Sequence, residues 1–147
     1  MSNFKTRQSS EILNSVYRNA QMAYECSADV LKRCRDVRLF REISAQSRRY
    51  RAVASKARQE LAKRGEPAKQ TSAYAKSMAK MGIAMKTASN TRSANLAKIM
   101  YRGTTMGIED MQHTLNRSHC AEQSVRASTE KLLLREQEFC DHLKRYL

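Results

Sequence analysis

Small and apolar side chains return every three or four residues along most of this chain, with polar ones filling the intervals. Leu13, Val16, Ala20, Ala23, Ser27, Val30 and Cys34 keep that alternation, which puts them on one face of a helix turning about 100° per residue. The pattern predicts a helix over residues 9–35, after a flexible start at 1–8. Asp36 is a good N-cap residue, so a second helix follows at once and must double back. In that helix Phe40, Ile43, Ser47, Tyr50, Ala54, Ala57 and Leu61 form the stripe. Its small members, Ser47, Ala54 and Ala57, allow a neighbouring backbone to come close. Gly65 and then Pro67 end the helix, as a C′ glycine followed by proline does.

The pattern weakens after Pro67. Tyr74, Met78, Met81 and Met85 share one face of a short basic helix, and Ser89, Asn90, Thr91 and Ser93 interrupt it. A further long helix is predicted from about Asn95, with Ala97, Met100, Thr104, Ile108, Met111 and Leu115 as its stripe. Asn116–Ser118 reads as a break. The last helix carries Ala121, Val125, Ser128, Leu132, Phe139 and Leu143. Four long amphipathic helices and one short one predict an all-α four-helix bundle forming a single domain over 1–147. The short helix sits in the long connection between the second and third long helices, a crossover of the ferritin-like kind.

Composition agrees with that reading. The chain has 147 residues, only 4 glycines and 1 proline, and 41% hydrophobic residues without tryptophan. Long helices with few turns suit such a chain, and the 8 methionines suit irregular gaps between helices. The start MSNFKTRQSSEILN carries no apolar core of a signal sequence, and no stretch approaches the ~18 apolar residues of a membrane span. The expectation is a cytoplasmic protein whose four cysteines, Cys26, Cys34, Cys120 and Cys140, are reduced.

The arginine-rich helix ending QELAKRGEP, the segment MYRGTTMGIEDM and the closing LLLREQEFCDHLKRYL resemble an uncharacterised bacterial domain family within the ferritin-like bundles. The resemblance spans roughly residues 10–147 and implies a fold without an established activity. Di-metal proteins of that plan need an inward Glu on two helices and Glu-x-x-His on the other two. Here the third residue after Glu42 is Ala45, and Glu42 lies about 100° from the centre of its stripe. Glu25 lies roughly 170° from the centre of the first stripe. Glu109, Asp110 and His113 fall on the far side from Met100, Thr104 and Met111, and Gly103 is followed by Thr104 and Thr105 rather than by acids. Glu136 alone sits near a core face, between Leu132 and Phe139. It reads as an edge carboxylate paired with Arg51, Arg58 or another cation. Glu136, Glu138 and His142 are the weak metal candidates. Glu138 and His142, four apart, read as a surface pair.

Other chemistry finds little support. His119-Cys120 and Cys140-Asp141-His142 would be about 30 Å apart along one helix. No CxxC occurs, and the Gly103–Gly107 stretch fits no phosphate loop. No catalytic residue and no cofactor are expected.

The formal charge of +14, from 28 Lys and Arg against 14 Asp and Glu, is the strongest functional signal. Arg38, Arg49, Lys56 and Lys63 line up opposite the second helix's stripe, with Arg41 and Arg48 beside them. Such a ridge attracts anions, though no stacking aromatics accompany it. The sequence thus points to a non-enzymatic interaction or structural module, a homo-oligomer or a binder of an acidic protein. A metal-binding ferritin-like oxidoreductase or storage protein, and a nucleic-acid binder using the ridge, are the alternatives.

Overall fold

The computed structural model describes residues 2–69 and 92–147, with residues 76, 79 and 80 between them. Among the described residues the chain is helical, without strands: α1 (Ser2–Arg33), α2 (Val37–Lys63), α3 (Ser93–Arg117) and α4 (Gln123–Leu143), closed by a 3₁₀ turn at Lys144–Tyr146. The short helix expected at Tyr74–Lys86 falls almost wholly outside them.

Local chemistry sets the element ends. Asp36 takes an extended conformation and its carboxylate accepts the Leu39 N–H at 3.1 Å, which satisfies one of the orphan donors of a helix start. At the other end Gly65 adopts φ +71°, and the Gly65 and Glu66 N–H groups donate back to the carbonyls of Ala62 and Leu61. Glycine enters this left-handed region at little cost, which is why the helix stops here.

Polar contacts at the two ends fix the directions of the helices. The Ser93 hydroxyl donates to Asp36 at 3.3 Å, so α3 begins beside the start of α2. At the opposite end the Cys120 N–H donates to Gln8 and the Glu122 N–H to Ser9. Therefore α1 and α4 run one way and α2 and α3 the other. Beyond the end of α2 the Lys69 N–H donates to Asn14 of α1.

α1 packs closely on α2 and α3, and α3 on α4. The apolar core forms two clusters. One holds Val30, Leu39, Ile43, Met100, Phe139 and Leu143; the other holds Ile12, Val16, Leu61, Met111, Leu115 and Val125. Between them lies a polar layer with buried Asn19, Gln46, Thr104 and Glu136.

Several expected boundaries and faces shift. α1 starts at Ser2 rather than 9, because its first turns carry no apolar stripe for periodicity to detect. Phe40 is 42% exposed, and Leu39 is fully buried in its place. Both lie three or four residues before Ile43, so spacing alone cannot choose between them. The break falls at Ser118–Glu122, and Ala121 is buried in it rather than in the helix. On α4 the buried line runs through Thr129, Leu133 and Cys140 instead of Ser128 and Leu132. That rotation follows from the packing of α4 chiefly on α3, which leaves Ser128 exposed and Leu132 half-buried.

Candidate functional site

The polar layer is built by α1, α2, α3 and α4 together. Glu136 is 4% exposed and accepts hydrogen bonds from the Tyr50 hydroxyl at 2.7 Å and from Gln46 Nε2 at 3.2 Å. Tyr50 in turn packs edge-on against Phe139. Burial pushes the Glu136 carboxyl up from 4.5 to about 7, against the opposing pull of the Tyr50 and Gln46 donors. Burial and the neighbouring Glu136 raise the Tyr50 phenol well above its ordinary value, so Tyr50 stays a donor. The expected salt bridge is thus corrected. Glu136 is a core residue held by neutral donors, while Arg51 and Arg58 are exposed.

A second carboxylate also lies further inward than its helical angle suggests. Asp110 accepts from Ser15 at 2.9 Å, from Asn19 at 2.6 Å and from Arg18 in a forked pair. Burial would raise its carboxyl, but the Arg18, Asn19 and Ser15 donors outweigh that and hold it below the usual range. Asp110 faces away from the α3 stripe yet toward α1, because two neighbours flank each bundle helix. Ser15 and Asn19 had no sequence signal beyond being small polar residues in a helix. Gly107 lies beside this network: a Cβ there would come 3.5 Å from Asn19 Oδ1.

The cavity lined by Asn19, Tyr50, Thr104, Gly107 and Glu136 measures about 20 Å³, room for a single water. The layer can therefore hold or release a proton, but it takes no organic substrate. Among the described residues no three His, Cys, Asp or Glu side chains gather as a metal would need. Glu138 and His142 are exposed on α4, on a different face from Glu136. Glu25 accepts from Gln21, and Glu42 is half-buried rather than turned fully outward. All four cysteines are free. Burial raises the Cys26 thiol to about 12 and also raises Cys34 and Cys140, which disfavours the nucleophilic thiolate.

Arg38, Arg41, Arg48, Arg49, Lys56 and Lys63 are all exposed on α2. Lys63 pairs with Glu60 at 3.3 Å, and Arg38 stands near Asp36. Arg41, Arg48, Arg49 and Lys56 have no acidic partner among the described residues.

Sequence reasoning missed a groove between α2 and α4. Its volume is about 550 Å³, and it is floored by Leu13, Val16, Val53, Ala57, Val125 and Leu132. The sequence feature that corresponds to it is a small residue on each helix, Ala57 on α2 and Ser128 on α4.

Fold and site define an all-α bundle with a polar mid-layer and a cationic surface. Comparison with family models, with curated proteins and with solved structures gave no match in any of the three. Among the described residues no helix is long and apolar enough to cross a membrane.

Proposed function

We propose that this protein is a non-enzymatic interaction module, built on the ferritin-like plan, that docks an acidic protein surface on the α2 ridge. The carrying observation is the row of exposed cations without acidic partners among the described residues, Arg41, Arg48, Arg49 and Lys56. Unpaired like charges along one helix repel, and an incoming anionic surface relieves that repulsion while steering association. The ferritin-like part of the reading is supported by the helix directions, α1 and α4 running one way and α2 and α3 the other. Use of that plan without a di-metal centre is supported by the partners of Glu136, a phenol and an amide that already occupy both carboxylate oxygens. Resemblance to the uncharacterised bacterial family and a cytoplasmic location belong to the same proposal, and the free thiols accord with them.

Fluorescence anisotropy with labelled polyglutamate across a salt series tests the reading. Binding that weakens steeply with salt, and is lost in the triple variant Arg41→Glu, Arg48→Glu, Arg49→Glu, supports it. Binding of a single-stranded oligonucleotide without binding of polyglutamate would move the assignment to nucleic acid. Absence of binding by both probes at low salt would refute the ridge as an interface.

A further inference from the structure

We propose that the groove between α2 and α4 is a binding site for a single-chain anionic amphiphile, a long-chain fatty carboxylate. Its chain would lie on the apolar floor and its head group at Lys56, Lys131 and Arg135. The site is distinct from the ridge, although Lys56 borders both.

The groove lies between two side-chain bridges that link the helices. Near one end the Tyr50 hydroxyl and Gln46 reach across to Glu136; at the other Arg64 reaches across to Glu122. Between these bridges the facing positions are small or short, Ala57, Ser128 and Thr129 among them, and the floor is supplied by Leu13 and Val16 of α1. A volume of about 550 Å³ lies within the roughly 300–1,000 Å³ usual for small-molecule sites. From Ser124 to Arg135 the groove follows α4 for about 16 Å. That is an elongated trough rather than a round pocket, a shape suited to an extended hydrocarbon.

Charge chooses the head group. The two bridges fix an antiparallel register in which Lys56 stands opposite Lys131, with Arg135 one turn further along α4. None of the three has an acidic partner among the described residues. The carboxylate lining the groove, Glu60, is engaged by Lys63 and Arg64, and Glu122 beside it by Arg64. Two like charges facing each other across an apolar floor attract an anion and repel a cation. The Arg64 end is neutral by pairing with Glu60 and Glu122, so the trough runs from a cationic end, over an apolar floor, to a charge-neutral one. This is the polarity of a fatty carboxylate.

Isothermal titration of the full chain with dodecanoate, decanoate and octanoate, below their micelle concentrations, tests the site. The expected result is one-site binding that weakens roughly tenfold or more for each two methylenes removed, from the transfer cost of each CH₂. Lys131→Glu with Arg135→Glu is expected to weaken dodecanoate at least tenfold, and Ser128→Trp, an exposed position, to block the trough. Helical circular dichroism should be unchanged in both. The ridge variant Arg41→Glu, Arg48→Glu, Arg49→Glu should bind dodecanoate normally, which separates this site from the acidic-protein reading. Dodecyltrimethylammonium binding as tightly as dodecanoate, no dependence on chain length, or full binding by the Ser128→Trp variant would each overturn the proposal.

Discussion

Replacing Glu136 with glutamine should change how stability responds to pH. Glu136 is buried and held by neutral donors, and its carboxyl is raised from 4.5 to about 7. A raised folded-state value means that the native chain holds this proton more tightly than the unfolded chain does. Between about pH 4.5 and 7 the native state therefore binds more protons, and stability falls as pH rises through that window. From the two values the ceiling on this loss is roughly 3 kcal/mol. Carboxylates held below their usual range, Asp110, Glu60 and Glu122, act in the opposite sense, but as pH falls below their ordinary values of 3.8 and 4.5, on the acid side of the Glu136 window. Glutamine is nearly isosteric with the protonated acid. It can accept from Tyr50 and donate its amide to the Gln46 side-chain oxygen. Urea unfolding followed at 222 nm, at pH 5 and pH 8, should show wild type less stable at pH 8 by up to about 3 kcal/mol. Glu136→Gln should match wild type at pH 5 and exceed it at pH 8. Wild-type stability that is equal at the two pH values, or a variant that keeps the full difference, would refute the assignment of this proton to the buried layer.

Further expectations follow from single contacts. Tyr50→Phe removes the 2.7 Å donor to Glu136, so the midpoint of the pH-dependent loss should move to higher pH in the same unfolding series. Asp110→Ala leaves Ser15, Arg18 and Asn19 without their common acceptor. The pair is partly open to solvent, at 23% and 34%, which limits the cost to roughly 2 kcal/mol by urea midpoint. Leu39→Ala should cost about 2–5 kcal/mol while Phe40→Ala stays within about 0.5; similar losses at both would reject the assigned face at the start of α2. Thiol titration of the native protein should label exposed Cys120 first and reach buried Cys26 and Cys140 only on unfolding.

What periodicity reveals is a direction around one helix, and that suffices where a helix has one dominant neighbour. On α2, whose main neighbour is α1, the stripe from Ile43 to Leu61 and the opposing cations were legible. So were Asp36 and Gly65, whose roles depend on backbone chemistry a few residues away. Legibility fails where a helix serves two neighbours. Asp110 is off the α3 stripe yet faces α1, and Leu133 replaced Leu132 because α4 turns toward α3. In both, the angle around one helix points to a single core, while the helix packs against two neighbours.

Glu136 shows a different limit. Its closeness to the core was readable, but its partner was assigned by charge, since a buried carboxylate is expected beside a cation. In a chain with 28 Lys and Arg that expectation is strong, and it failed because every cation near that height of α2 can reach water at lower cost. A phenol and an amide, by contrast, lose little by staying in the layer. The abundance of cations therefore says little about the interior. It describes the surface, where like charges stand along the ridge and on both rims of the α2–α4 trough.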